Sequence, residues 1–233
     1  MSRVRVGITA ALSAAAGAGY AAPAMLELYS WTTPNGDKLH IMLEELGLPH
    51  RVIGVNIGAG EQHRPEFRAK NPNGKIPTLV DTDGAGGVPV TVFESGAILV
   101  YLAEKSGKFM PQDTPGRFRV LQWLMFQMSA VGPMLGQLFH FRSAQEPIPY
   151  AIDRFENEVK RLFKVVETEL AARGPFLAGE YSIADMACFP WMRNHKAVGL
   201  EIGEYPKTRV WLEAIAGRPA VQRGLQVLRE SKA

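Results

Sequence analysis

Two polar residues in a short turn are the first candidates for chemistry. The stretch "YSWTTPNGDKLHIMLEELGL" places Thr33 and Asn35 immediately before apolar residues at helical spacing. The amino-terminal end of a helix presents unpaired amides and about half a positive charge, so a thiolate bound there is stabilised. The turn at residues 32–36 contains no cysteine, serine or tyrosine. A reacting sulfur would therefore belong to a ligand; the alternative is that Thr33 or Asn35 only caps the helix.

A second candidate is "NGKIPTLV", where Ile76 and Pro77 precede a predicted strand. A cis peptide bond at Pro77 would expose the main-chain groups of Ile76. Those groups could then pair with a peptide-like ligand as an added strand. A trans proline at the start of a strand is the alternative, and the sequence does not decide between them.

The third candidate is "FESGAIL", which places Glu94 and Ser95 at the start of another predicted helix. Ser95 is the predicted N-cap, and its amide and hydroxyl could bind a carboxylate. Glu94 could bind an ammonium group, so one carbon carrying both groups would suit the pair. The alternative is again a helix cap without a ligand.

The single cysteine limits the possible thiol chemistry. Because Cys188 is the only one of the 233 residues with a thiol, an intramolecular disulfide and a C-x-x-C pair are impossible. Cys188 lies in the apolar run "MACF" and is predicted to be a buried core residue. The five histidines show no metal-ligand spacing on one element, so no metal site is predicted.

Charge and hydropathy argue against two classes of partner. The net charge of +3 has no long run of one sign, which disfavours nucleic acid. No apolar run approaches the about 20 residues that span a bilayer, so no membrane partner is expected. Residues 1–24 carry Arg3, Arg5 and a small-residue "APA". They are interpreted as a cleaved secretory signal, an unstructured extension, or a segment before a true start at Met25, and are excluded from the fold.

From Met25 onward the sequence predicts a thioredoxin-like α/β domain. The strand "MLELYS", an amphipathic helix that ends at Gly47 and the strand "HRVIGVNI" form a βαβ unit with parallel strands. Strands at Thr78–Asp81 and Val88–Phe93 then form a hairpin, and "SGAILVYLAEKSG" is a helix. The order βαβ-ββα predicts a mixed four-stranded sheet.

The remainder of the chain is predicted to be an all-α domain. Thr114, as N-cap, and Pro115 begin a helix, and Gly132-Pro133 should kink or break it. A later segment has one apolar stripe, made of Ile152, Phe155, Val159, Leu162, Phe163, Val166 and Leu170. Ser182 and Asp185 have capping-box spacing. The predicted boundaries are 1–24 for the leader, 25–106 for the thioredoxin-like domain, 107–114 for a linker and 115–233 for the helical domain.

Taken together, these motifs resemble a known enzyme family. The motifs "TPNG", "PNGKIP", "FESGAILVYLAEK", "GPMLGQ", "IPYAIDRF" and "YSIADMACFPW" occur in the order found in cytosolic-type glutathione transferases of the Nu class. That class includes bacterial glutathione-dependent disulfide-bond oxidoreductases and is similar to a region of a yeast nitrogen regulator. The resemblance covers the chain from Met25 to about Lys232 and implies the cytosolic glutathione transferase architecture.

The resemblance also implies a ligand, glutathione, which acts as co-substrate with no metal. Thr33 and Asn35 would face its sulfur. Gln62 and Lys75 would contact its glycyl end, and Ile76, which precedes Pro77, would pair with its cysteinyl main chain.

At the other end of the ligand, Glu94 and Ser95 would bind the γ-glutamyl head. Arg154 would reach the ligand from the neighbouring subunit, which implies a homodimer.

Three functions are weighed on this basis. The first is a disulfide reductase in which glutathione thiolate carries out thiol–disulfide exchange. The second is a transferase that conjugates glutathione to small electrophiles, and the third is a glutathione-binding regulatory module without turnover. The expected location is the cytoplasm, or the periplasm if residues 1–24 are a cleaved signal peptide.

Overall fold

The computed structural model describes residues 25–229, so the predicted leader at 1–24 lies outside the described residues. The first part of the described residues contains three α-helices and four strands: β1 (Leu26–Ser30), α1 (Pro34–Leu46), β2 (His50–Gly54), α2 (Pro65–Arg68), β3 (Thr78–Asp81), β4 (Val90–Phe93) and α3 (Ser95–Ser106). The second part is helical: α4 (Thr114–Phe126), α5 (Gly132–Ser143), α6 (Pro149–Arg173), α7 (Ile183–Met192), α8 (Pro206–Ala216) and α9 (Pro219–Gly224).

The four strands form one mixed sheet in the order β2-β1-β3-β4. Strand β1 is parallel to β2 and antiparallel to β3, and β3 is antiparallel to β4. The predicted sheet is confirmed, including the bounds of β3. The last strand begins at Val90 rather than Val88, because Ala85–Gly87 form a tight turn with Gly86 and Gly87 at positive φ.

Helix α1 has the boundaries that its sequence predicts. Thr33 is the N-cap, Pro34 is the first helical residue, and Gly47 ends the helix with φ of 64°. Leu39, Met42 and their neighbours on this helix are fully buried. The Thr33 cap and the buried side chains of α1 therefore together fix the position of the turn that precedes the helix.

Two predicted N-caps are wrong by one residue. Ser95 already has helical backbone, and the N-cap position belongs to Glu94, which has φ of 73° and makes no capping hydrogen bond with its side chain. Thr114 is likewise inside its helix, because the Asp113 carboxylate accepts from Gly116 N at 2.8 Å.

The long apolar segment of the second part is interrupted where the sequence predicts. A π turn at Gln127–Val131 separates α4 from α5, just before Pro133. Proline has no N–H for the helical ladder and crowds the preceding turn, which accounts for the irregularity. On α6 the stripe from Val159 to Leu170 is buried as predicted, whereas Ile152 and Phe155 are half-buried.

The carboxyl-terminal segment packs back onto α1. Arg218 pairs with Glu45 at 2.6 Å, and Arg223 pairs with Glu44 at 2.7 Å. At the other end of α1, Arg229 pairs with Asp37 at 3.0 Å. Partly exposed ion pairs contribute little energy singly, so their main effect is to set where α1 lies against the helical part.

Candidate active site

A polar cavity of about 400 Å³ lies where the amino-terminal ends of α1 and α3 meet the π turn and α5. Six of the sequence-predicted site residues line it: Asn35, Lys75, Ile76, Pro77, Glu94 and Ser95. The other lining residues are Lys38, Asn71, Asn73, Gln127, Met128, Gly132, Pro133, Gly136, Gln137 and Trp191. The structure thus brings together residues from separate motifs of both parts of the chain.

Asn35 presents hydrogen-bond donors to this cavity. Its side-chain oxygen accepts from Trp191 Nε1 at 3.0 Å, so the Nδ2 donors are left for a ligand. Its main-chain amide is also available, because none of the hydrogen bonds found within residues 25–229 uses it. Pro34 has no N–H, and the Gly36 amide donates to Thr33 Oγ1 at 3.2 Å. The first turn of α1 therefore presents Asn35 as its donor.

Thr33 caps α1, which is the alternative that the sequence left open for this residue. It is half-buried and does not line the polar cavity. Because its oxygen accepts from Gly36, the hydroxyl proton is the part that could still donate to a sulfur. That role for Thr33 stays a prediction.

The Ile76–Pro77 peptide bond is cis, and both residues line the cavity beside Lys75. Asn71 stabilises the loop at residues 75–78, because its Nδ2 donates to Lys75 O at 2.6 Å and to Thr78 Oγ1 at 3.1 Å. Asn71 is buried and was not among the sequence candidates. Its side chain fixes the segment that would have to pair with a peptide-like ligand.

The start of α3 is open to an anion. Glu94 is exposed at the N-cap position, and no side chain of the described residues caps the first-turn amides. Ser95 is buried at the floor of the cavity. Free amides at a helix start favour a carboxylate, and the Glu94 carboxylate next to them favours an ammonium group.

Lys38 is the main residue that the sequence reasoning missed. It is 1% exposed, and its Nζ donates to Gln127 Oε1 at 2.6 Å, Ser95 Oγ at 3.1 Å and Met128 Sδ at 3.5 Å. Burial lowers the pKa of Lys38 to about 7. A signal was present, since Lys38 precedes the buried Ile41 by three residues and so lies on the apolar face of α1.

The motifs "GPMLGQ" and "FPW" also supply the cavity wall. From sequence, these motifs predict a helix break at Gly132-Pro133 and the family resemblance, whereas in the structure Gly132, Gly136, Gln137 and Trp191 line the cavity. A Cβ at Gly136 would make an ordinary contact with the Trp191 ring at 3.4 Å, whereas a Cβ at Gly132 would lie only 2.8 Å from Gln127 Nε2, so glycine at 132 leaves room for the Gln127 amide. Two glycines one turn apart in an apolar helix were the signal for such a contact.

A second, apolar cavity of about 350 Å³ adjoins the polar one. The two share Gly136 and Trp191, and the adjacent residues Pro34 and Asn35 line one cavity each. The apolar lining is completed by Leu135, Phe139, Asn194, Ala197 and Val198. An atom bound at the start of α1 could therefore meet a polar ligand on one side and an apolar group on the other.

Besides Thr33, two sequence-predicted residues lie outside both cavities. Gln62 is half-buried in a short turn, where its Nε2 donates to Ile57 O at 3.3 Å. Arg154 is exposed on α6 and borders a surface depression with Met134 and Phe155. The structure of one subunit does not bring either residue to the cavity.

Within residues 25–229 no three histidine, cysteine, aspartate or glutamate side chains are grouped so that they could hold a metal ion. None of the described helices combines the length and apolar character needed to cross a membrane.

Cys188 is fully buried, and burial raises the pKa of its thiol. A protonated, buried thiol is a poor nucleophile.

Replacing Cys188 with alanine should therefore leave the rate of disulfide reduction unchanged. The expected cost is limited to packing, about 1–2 kcal/mol in the free energy of unfolding, because a small buried side chain is shortened by one atom. Steady-state rates and urea unfolding of the two proteins would be compared. Loss of most of the activity in a folded variant would show that Cys188 takes part in the reaction.

Comparisons with known proteins bear on the same residues. The glutathione S-transferase N-terminal domain model matches residues 32–105, and the C-terminal domain model matches residues 149–214. The chain is 47% identical to the disulfide-bond oxidoreductase YfcG of Escherichia coli K12 over 204 residues, which are 86% of this chain and 94% of the relative. It is 44% identical to YghU of the same organism, over 85% of this chain and 73% of the relative.

Solved structures agree in fold. A glutathione transferase from Pseudomonas putida, with one glutathione disulfide bound per subunit, superposes with a TM-score of 0.82 at 44% identity, over 88% of this chain and 92% of that one. A glutathione transferase from Burkholderia graminis, with two glutathione molecules bound per subunit, gives a TM-score of 0.84 at 44% identity, over 91% of each chain.

Proposed function

The chain belongs to the glutathione S-transferase family, and from that premise we propose that it is a glutathione-dependent disulfide-bond reductase. The observation that carries this proposal is a polar cavity whose walls offer donors at the start of α1 but no cysteine of the chain. The reacting sulfur is then the thiol of bound glutathione. The names of the two Escherichia coli relatives and the glutathione or glutathione disulfide in the two solved structures support the same reaction.

The shape of the cavity suggests how the tripeptide is placed. Its γ-glutamyl head lies at the start of α3, where Glu94 pairs with the α-ammonium and Ser95 donates to the α-carboxylate. The cysteinyl main chain pairs with Ile76, beside Pro77. The sulfur then reaches the start of α1, between Thr33 and Asn35.

The glycyl end of the tripeptide extends the other way. It leaves the cavity past Lys75 toward Gln62. Lys75 offers an ammonium group to the glycyl carboxylate, and Gln62 offers a side-chain amide.

The exchange itself needs no nucleophile from the protein. The bound thiol releases its proton to solvent, and the thiolate attacks one sulfur of the disulfide substrate along the S–S axis. That S–S bond breaks, and the leaving thiolate takes up a proton. A second glutathione then attacks the mixed disulfide, so that glutathione disulfide and the second thiol are released. Donors from Asn35 lower the pKa of the bound thiol and so raise its thiolate fraction at neutral pH.

The apolar cavity favours a second candidate function, the conjugation of glutathione to small electrophiles. An apolar electrophile lying between Pro34 and Trp191 would reach the same sulfur. A non-catalytic binding module remains the third candidate, since the same contacts would hold glutathione without turnover. The two enzyme functions share a thiolate and differ only in the atom it attacks.

One experiment separates the three functions. Purified protein is assayed for glutathione-dependent reduction of bis(2-hydroxyethyl) disulfide and for conjugation of an aryl halide, and glutathione binding is measured by calorimetry. We expect binding, faster disulfide reduction than conjugation, and no mass adduct on Cys188. Binding with neither activity would favour the regulatory module, and the absence of binding would contradict the whole proposal.

We also propose that the protein acts as a homodimer in the cytoplasm, where reduced glutathione is abundant. Phe118 and Met125 lie two turns apart on one face of α4 and are 63% and 53% exposed, which suits burial against a second copy. Arg154 lies outside the cavity of its own subunit and is proposed to complete the site of the other. Sedimentation analysis would test the dimer, and cell fractionation would test the location.

A mixing experiment tests whether Arg154 acts across the dimer. Arg154→Ala and Asn35→Ala subunits are each expected to be impaired, the former by about tenfold in kcat/KM because a charged hydrogen bond is lost. Hybrid dimers carry one site with both defects and one intact site. Dissociating and re-forming a mixture of the two variants should therefore recover a substantial part of the activity. If no activity returns in confirmed hybrid dimers, Arg154 does not act in trans.

A further inference from the structure

Two polar side chains at the floor of the polar cavity are oriented by a hydrogen bond from the buried residue beneath them. Ser95 Oγ and Gln127 Oε1 both accept from the buried Lys38 ammonium, at 3.1 and 2.6 Å. The Ser95 O–H donates to Met128 Sδ at 3.6 Å, and because a thioether is a weak acceptor, a carboxylate in the cavity can take over this hydrogen. Gln127 can offer its amide hydrogens, since Gln127 Nε2 is buried without a hydrogen-bond partner in the part of the chain that the structure describes. The floor presents donors and so favours a negatively charged group.

Lys38 itself is a buried charge without a contacting carboxylate. Its three N–H groups are used by Ser95, Gln127 and the thioether of Met128, all of them neutral. Burying an unpaired ammonium costs several kcal/mol, so the arrangement is expected to serve a purpose other than stability. A buried cation behind a floor of donors, at the start of α3, is a favourable place for an incoming carboxylate.

We propose that Lys38 is the positioning residue of the subsite that binds the γ-glutamyl carboxylate of glutathione. It holds Ser95 and Gln127 with their donors toward the cavity, and its charge is balanced when the carboxylate arrives. The inference rests on the proposed function, because it takes glutathione as the ligand of this cavity. It adds a buried residue of the cavity floor that acts on the ligand through Ser95 and Gln127.

Balancing the charge has a consequence for proton binding. The titratable and charged groups that face Lys38 are Glu94 at the start of α3 and Cys188 on α7, with Lys75 across the cavity. Asp37, one residue away on α1, is paired with Arg229. Without a ligand, burial lowers the pKa of Lys38 to about 7, so at pH 8 most molecules carry a neutral amine there.

A bound carboxylate favours the charged form and raises that pKa. Ligand binding at pH 8 should therefore take up a proton, whereas binding at pH 6 should take up almost none, because Lys38 is already charged.

The test is calorimetry of the full chain with S-methylglutathione, which has no thiol proton to release. Titrations in two buffers that differ in ionisation enthalpy, phosphate and Tris at pH 8 and phosphate and bis-Tris at pH 6, give the number of protons bound. The wild-type protein should take up more than half a proton at pH 8. Lys38→Met should take up almost none and bind about tenfold more weakly, the effect of losing hydrogen bonds from a charged group.

Two further variants keep the test decisive. Lys75→Met removes the same charge from the exposed rim of the cavity and should retain the proton uptake, whatever its affinity. Gln127→Glu places a carboxylate against Lys38 with almost no change in size. It should hold Lys38 charged in the free protein and so abolish the uptake, even if Lys38→Met fails to fold.

The outcomes distinguish this inference from the proposed function. If the wild-type protein does not bind S-methylglutathione at all, the proposed function fails. If it binds without proton uptake at pH 8, or if Lys38→Met and Gln127→Glu keep the uptake and the affinity, the role of Lys38 is overturned while glutathione binding stands.

Discussion

Replacing Asn35 with alanine is expected to lower kcat/KM for disulfide reduction by about a hundredfold, the usual effect of removing one donor aimed at a reacting anion. The Asn35 oxygen is already bonded to Trp191, so the Nδ2 donors are what the substitution takes from the thiolate. The main-chain amide stays in place, which explains why some activity should remain. Alanine is favourable in a helix but leaves Trp191 Nε1 without its acceptor, so the free energy of unfolding should fall by only about 1 kcal/mol.

The thiol pKa of the bound glutathione is the measurement that identifies the mechanism. Absorbance of the thiolate near 240 nm, followed against pH in the saturated complex, should show a lower pKa for wild type than for Asn35→Ala. Trp191→Phe is the matched control, since it leaves the Asn35 donors present but removes the hydrogen bond that orients them. We expect it to fall between the other two proteins. An Asn35→Ala protein with an unchanged rate would remove this residue from the mechanism.

The parts of the site that were predicted from sequence are local. Asn35, Glu94 and Ser95 could be found because each lies beside a helix start, and a helix start is visible in a short window of sequence. Lys38, Gln127 and Trp191 could not be found in this way. The hydrogen bond between Lys38 and Gln127 joins residues 89 positions apart in the sequence, and the one between Asn35 and Trp191 joins residues 156 positions apart. Such contacts depend on how the two parts of the chain pack together.

The two misplaced caps have a similar cause. In "QDTP" two adjacent residues can each cap a helix, and in "FES" the N-cap position belongs to a residue of a type that does not cap; in both cases the choice depends on backbone angles that the residue types do not show. Glu94 takes φ of 73°, which is uncommon for a residue with a side chain, and this puts Ser95 inside the helix. There its hydroxyl meets Lys38 rather than its own backbone. The correction therefore changes the interpretation of Ser95 from a cap to a part of the cavity floor.

The same arrangement occurs at both ends of the proposed ligand. At the sulfur end the acceptor of Asn35 is occupied by Trp191, and at the γ-glutamyl end the acceptors of Ser95 and Gln127 are occupied by Lys38. In both places a hydrogen bond accepted by the side-chain oxygen orients a neutral group, so that its donor can serve a negatively charged ligand. A cavity with this polarity binds a thiolate and a carboxylate better than their protonated forms.

Asp185→Ala is expected to lower the free energy of unfolding by about 3–5 kcal/mol, enough to leave much of the protein unfolded at 37 °C. The Asp185 carboxylate is fully buried, and it accepts from Leu177 N at 3.0 Å, Ser182 N at 3.0 Å, Ser182 Oγ at 3.1 Å and Trp211 Nε1 at 2.9 Å. Removing it leaves donors of α7, α8 and the preceding loop buried without an acceptor.

Urea unfolding followed by tryptophan fluorescence would measure this loss, and Asp185→Asn is the control for size. The asparagine NH₂ would face N–H and O–H groups that now donate to the Asp185 carboxylate, and two donors cannot bond to each other. The Asp185→Asn variant should therefore lose almost as much stability as Asp185→Ala. Both variants should retain a near-normal kcat when assayed folded at low temperature, because Asp185 does not line the cavity. Normal stability with lost activity would instead place Asp185 in the reaction, since a purely structural carboxylate cannot affect the chemistry without affecting the fold.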